Sequence, residues 1–137
     1  MSKIINNQII AANIKEIEAL KVGLASNNAA YLVEINGSQI QSWEDYISVV
    51  QDKFKFPTPC LGSVDRYLDW MRDLGWLEKE EYILIITNYG MFLNNDSKLK
   101  SLIIEDFNDV ILPFWQDEVK EVVVEGKAKS FMVYLVD

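Results

Sequence analysis

This 137-residue chain contains no histidine, one cysteine (Cys60), three prolines and six glycines. The absence of histidine removes the side chain most used for proton transfer near neutral pH and the commonest metal ligand. Ser-His and Cys-His nucleophile pairs are excluded with it. A single cysteine cannot form an internal disulfide and fits a reducing, cytoplasmic compartment. No uninterrupted apolar stretch approaches membrane-spanning length, and the N-terminus lacks the basic start, apolar run and small-residue cleavage site of a secretory signal. Gly-x-Gly-x-x-Gly and phosphate-loop patterns are missing too, so nucleotide chemistry has no support. No cofactor, no metal and no membrane partner is expected.

Half of the residues are hydrophobic and a quarter are charged, the composition of one globular unit with a single core. Thirteen Lys and Arg against 21 Asp and Glu leave a net charge of −8. The middle of the chain, residues 30–97, carries most of the excess acid. A negative field argues against direct binding of nucleic acid and favours a basic protein surface.

Tyr31-Leu32-Val33-Glu34-Ile35, stopped by Asn36-Gly37, has the composition of a strand and turn. Ser42 then reads as the N-cap of a helix with Asp45 in the capping-box position, and Trp43, Tyr46, Ile47, Val50 and Phe54 recur at helical spacing. Phe56-Pro57-Thr58-Pro59 breaks that helix, because each proline lacks an N–H and biases its predecessor to extended geometry. Tyr82 to Thr87 is almost continuously apolar, the pattern of a strand buried on both faces at the centre of a parallel sheet. Ser97 is placed to cap a helix through Leu102, Ile103, Phe107, Val110 and Ile111, and Pro113 either kinks it or begins a second piece. Residues 122–126 fit a helix end or a hairpin strand, and Phe131 to Val136 closes the chain as a last strand. Ahead of all this, Ile10, Ile14, Ile17, Leu20 and Leu24 predict an N-terminal helix ending at Asn27-Asn28, which packs on the sheet or its edge, or else makes a dimer contact. The expected fold is α/β, a three-stranded parallel sheet packed with helices, with residues 1–29 a helical extension and 30–137 the main domain.

The segment Gly62-Ser63-Val64-Asp65-Arg66-Tyr67-Leu68-Asp69-Trp70-Met71-Arg72-Asp73 carries the strongest functional signal. At 100° per residue Val64, Tyr67, Leu68 and Met71 share one face of a helix, and Asp65, Asp69, Arg72, Asp73 and Trp76 share the adjacent one. Like charges at i,i+4 destabilise a helix by about 0.2–0.5 kcal/mol each, so their repetition calls for compensation by Arg66 and Arg72 or for a cationic partner. A merely solvated helix face is the ordinary explanation of such charges. Magnesium ligation or acid/base catalysis by Asp65 and Asp69 finds no supporting histidine or substrate loop. Cys60, in a proline-bounded loop, reads as an inert thiol, and Trp43 and Trp115 read as core. Trp70 is either half-buried under the N-terminal helix or exposed as an interface anchor.

Over roughly residues 31–90 the sequence resembles the barstar family, small inhibitors of barnase-type ribonucleases. The resemblance runs through Ile35-Asn36-Gly37-Ser38-Gln39-Ile40-Gln41-Ser42, Phe56-Pro57, Asp65-Arg66-Tyr67-Leu68-Asp69 and Arg72-Asp73-Leu74-Gly75-Trp76-Leu77. It implies a non-enzymatic protein whose acidic helix covers the basic active site of a ribonuclease, with Asp65 and Asp69 as anchors and Asp73 and Trp76 as lesser contacts. The loop Thr58-Pro59-Cys60-Leu61-Gly62-Ser63 departs from the family in lacking aromatics, and Ser63 takes the place of the family's asparagine as helix cap. That departure leaves room for an acidic binding or immunity module directed at a non-ribonuclease toxin or another basic partner. A family acid on the last helix has Asp117 or Glu118 as its nearest counterpart.

Overall fold

The computed structural model describes residues 5–137. Four parallel strands form one sheet in the order β1 (Ile9–Ala12), β4 (Ser130–Val136), β3 (Glu81–Thr87), β2 (Ala30–Asn36). The sheet therefore has one strand more than the three expected. The extra strand holds Ile10, which the helical spacing assigned to the N-terminal helix; that helix, α1 (Ile14–Leu24), starts later and ends sooner. Asn13 is the reason for the late start: its side chain accepts from the Glu16 N–H while Glu16 bonds back to the Asn13 N–H, a complete capping box.

Continuous hydrophobicity in β3 has the expected cause. Tyr82, Leu84 and Ile86 face the main core beneath the later helices, and Ile83 and Ile85 face a smaller cluster closed by Ile17, Leu20 and Leu24 of α1. Helix α1 thus covers the second face of the sheet, and Lys21 pairs with Glu34 of β2 across it. Strand β1 is held from inside the fold by Asn7. Its side chain accepts from the Phe131 N–H at 2.7 Å and donates to the carbonyls of Lys129 and Leu112, and its backbone N–H donates to Gln116 Oε1.

Helix α2 (Trp43–Lys53) begins at Ser42 as the sequence predicts, but Asp45 is too short to complete a capping box and instead accepts from the Gln41 N–H. Asp96, not Ser97, caps α4 (Ser97–Asp106). Pro113 neither breaks the helical run nor starts a new one. Two π-helical turns, Phe107–Ile111 and Phe114–Glu118, flank it before α5 (Val119–Val122), and the widened turn absorbs a ring that an α-helical interior would exclude. The helix stops at Val122, so residues 123–126 are a turn rather than a hairpin strand. No helix of the described residues is long and apolar enough to cross a membrane.

Candidate functional site

Helix α3 (Val64–Met71) stands between α2 and the long C-terminal helical run. Ser63 caps it, its side chain accepting from the Arg66 N–H. Tyr67 and Met71 are fully buried and pin its inner face; Val64, placed by periodicity on that face, is 39 % exposed because it lies in the first turn beyond the edge of the core. Under the helix the hydroxyls of Tyr46 and Tyr67 meet at 2.6 Å with their rings edge to face, and Trp43 packs edge-on against Tyr67. Burial pushes both phenols well above their ordinary range, so they stay neutral.

On the outer face Asp65 and Asp69 are both exposed. Asp65 sits in the first turn, where its charge favours the helix dipole. Asp69 is bound by Arg72 through a 3.0 Å ion pair, and Arg72 also donates to the Leu68 carbonyl. The expected compensation of like charges is thus supplied by one arginine at i+3, while Arg66 projects into solvent.

Asp73 and Trp76 do not continue this face. The helix ends at Met71, and Leu74 takes a left-handed backbone conformation (φ 55°) that turns the chain away. Such a conformation costs a non-glycine residue about 1–2 kcal/mol, offset here by complete burial of the Leu74 side chain. Asp73 remains exposed beside the helix end and accepts from the Gly75 N–H. Trp76 is half-buried, its indole N–H donating to the Phe54 carbonyl at 2.8 Å and its ring edge-on to Trp70 and Phe56. Trp70 is accordingly half-buried under Trp76, not under α1, which lies across the sheet. Trp115 is core: its indole N–H donates to the Met71 carbonyl and so caps the C-terminus of α3. Asp117 lines a hollow with Asn7 and Pro113, and neither it nor Glu118 has a bond to α3.

The loop before α3 buries Cys60, whose thiol is pushed up by burial against the opposing effect of Arg66, as befits an unreactive group. Its neighbour Leu61 is 78 % exposed. Among the described residues no group of three or more His, Cys, Asp or Glu is placed to hold a metal ion. What the site offers is a rigid helix with carboxylates on its free face, suited to charge-assisted hydrogen bonds with cationic side chains.

Comparison with curated proteins gave no match, nor did comparison with solved structures. A family model described as barstar, the barnase inhibitor, matches residues 30–127, from the start of β2 through the turn after α5 and over well more than half of the chain. The chain belongs to the barstar family.

Proposed function

We propose that this protein is an inhibitor that binds a basic ribonuclease of the barnase type and covers its active site with α3, Asp65 and Asp69 standing where substrate phosphates otherwise lie. One observation carries this: two exposed carboxylates one turn apart lie on a helix whose opposite face, Tyr67 and Met71, is fully buried. Because the helix is held before any partner arrives, little ordering entropy is lost on binding. Arginine and lysine of the ribonuclease would relieve the repulsion between the two aspartates and exchange with the Arg72 contact. Asp73, exposed at the helix end, and the rim of Trp76 are lesser contacts. The net charge of −8 favours electrostatic steering of a basic partner.

Stoichiometric titration of RNA cleavage by purified barnase is the test. Inhibition by the full chain, with an inhibition constant that Asp69→Ala weakens roughly a hundredfold, supports the proposal, and undiminished cleavage, or an equal constant for the variant, removes it. A second reading keeps the acidic surface but directs it at a non-ribonuclease toxin or another basic protein. It is favoured by the loop Thr58–Ser63, where an exposed Leu61 stands in a region that carries aromatics in the family.

A further inference from the structure

Strand β1 forms one edge of the sheet, with β4 on its inner side and no described residue paired on the other. The Val133 N–H donates to the Gln8 carbonyl at 3.1 Å, so Gln8, Ile10 and Ala12 direct their backbone groups to β4, and by alternation Asn7, Ile9, Ala11 and Asn13 direct theirs outward. Both ends of that outer row are closed from within the chain: Gln116 Oε1 accepts from the Asn7 N–H at 2.8 Å and Glu16 Oε1 from the Asn13 N–H at 3.2 Å. Between them Ile9 and Ala11 each present an N–H and a C=O that no described residue bonds.

Proteins ordinarily blunt such an edge with charge, proline or a covering element. The opposite edge, β2, follows that rule: Glu34 lies in it, paired with Lys21, and the Tyr31 hydroxyl ties it to the Lys53 carbonyl of α2. Strand β1 does not follow it. From Ile4 to Ile14 the sequence has neither a charged residue nor a proline. Residues 1–29 hold three lysines against two glutamates, so the net charge of −8 lies entirely in the rest of the chain, and two copies meeting at β1 approach away from their like charge. The open groups are also self-complementary. Ile9 and Ala11 stand symmetrically about Ile10, so a second β1 laid antiparallel, with a two-fold axis at Ile10, pairs each Ile9 with the Ala11 of the other copy and uses every open N–H and C=O. Ile9 packs on the main core and Ala12 on the α1 cluster; Ile10, on the same face as Ala12, joins neither core among the described residues and is placed to meet its twin on the axis.

We propose that this protein self-associates through β1, a second copy adding its own β1 antiparallel so that the two sheets become one. The inference goes beyond the inhibitor reading and does not rest on it. Strand β1 lies outside residues 30–127 matched by the family model, so the contact belongs to the N-terminal segment of this chain. A strand of four residues covers less area than a standard interface, so the dimer is weak and exchanges with the monomer.

The test is sedimentation equilibrium of the full chain from about 10 μM to about 1 mM, where a monomer–dimer equilibrium with a dissociation constant below about 1 mM is expected. Ala11→Pro removes an outward N–H and no bond to β4, so it should weaken the dimer at least about tenfold. A second measurement does not depend on the folding of the proline variant. In the antiparallel register the two Ile10 Cα atoms lie directly opposite, about 4.5 Å apart and within reach of a disulfide, whereas the two Ala11 Cα atoms lie diagonally, about 7–8 Å apart and out of reach. Under mild oxidation Ile10→Cys should therefore form a disulfide-linked dimer at least about tenfold faster than Ala11→Cys, Cys60 being buried in both. A chain that stays monomeric at about 1 mM, a folded Ala11→Pro that dimerises as well as the wild type, or equal rates of cross-linking overturns the inference. Neither measurement involves a ribonuclease, so failure here leaves the inhibitor reading standing, and loss of that reading leaves the dimer.

Discussion

Removing one hydroxyl from the Tyr46–Tyr67 pair tests how α3 is held. Both side chains are fully buried, and among the described residues each hydroxyl has the other as its sole hydrogen-bond partner. Tyr67→Phe creates almost no cavity but strands the Tyr46 hydroxyl in a fully buried site. Leaving a buried polar group unpaired costs about 1–3 kcal/mol, whereas removing both partners is nearly neutral. For a chain of this length, about 2 kcal/mol lowers the melting temperature by roughly 6–10 °C. Either single variant should therefore melt well below the wild type, and Tyr46→Phe/Tyr67→Phe should recover most of the loss, giving a favourable coupling in a double-mutant cycle. Chemical denaturation of all four proteins measures it. A double variant whose destabilisation equals the sum of the singles would refute the reasoning, because each hydroxyl would then have a separate partner.

Asp69→Ala should change stability by less than about 1 kcal/mol, since it removes one exposed ion pair and one like-charge neighbour, while weakening the ribonuclease complex by roughly a hundredfold, read by melting and by titration. The association rate with the same partner should fall steeply as salt rises while dissociation changes less; equal rates in stopped flow at low and high salt would exclude steering. Asn7→Ala should destabilise by about 2–3 kcal/mol, because the Phe131 N–H and the Lys129 carbonyl lose their partner together, and a denaturation midpoint equal to wild type would show β1 to be dispensable. Alkali should unfold the protein: burial holds Tyr46, Tyr67 and Tyr82 neutral above the ordinary value, Tyr82 up to about 12, while the unfolded chain ionises near 10.0. Their contribution is complete below pH 10 and lost as pH rises from there, by up to about 1.4 kcal/mol per pH unit for each tyrosine, so the urea midpoint should be flat to about pH 9 and fall beyond it.

Where local chemistry decides geometry, the structure was legible in the sequence. Ser42 and Ser63 cap their helices, and the unbroken hydrophobicity of Tyr82–Thr87 marks the strand with two buried faces. Asp65 and Asp69 stand exposed on one helix face as their spacing requires. What was hidden depends on distant partners. Ile10 has the same spacing in a helix as in the strand it joins, and only β4, more than a hundred residues away, selects the strand. Proline ordinarily ends a helix, yet Pro113 sits within one because π-helical turns on either side relieve its ring. The end of α3 had no glycine at the left-handed position: the helix already stops at Met71, which takes Asp73 off the acidic face, and Leu74 accepts a left-handed backbone in exchange for full burial and turns Trp76 away. Arg72 was read only as general compensation, since periodicity does not show that its guanidinium folds back onto Asp69. Residues 122–126 fitted a helix end or a hairpin strand equally by composition, and the structure ends α5 at Val122 with a turn after it.

Ile9 lies beside Val133 in the sheet, so the first strand has no neighbour until nearly the last residue of this sequence exists. On a ribosome, β2, α2, α3 and β3 can assemble with α1 over Ile83 and Ile85, while β1 stays unpaired until β4 has left the tunnel. Closure joins strands more than a hundred residues apart, the kind of contact that slows folding most. A nascent chain halted before residue 130 should therefore leave β1 and the β4-facing edge of β3 open to chaperones that grip apolar surface, and protection from proteolysis should spread from the acidic helix to β1 only once β4 has emerged.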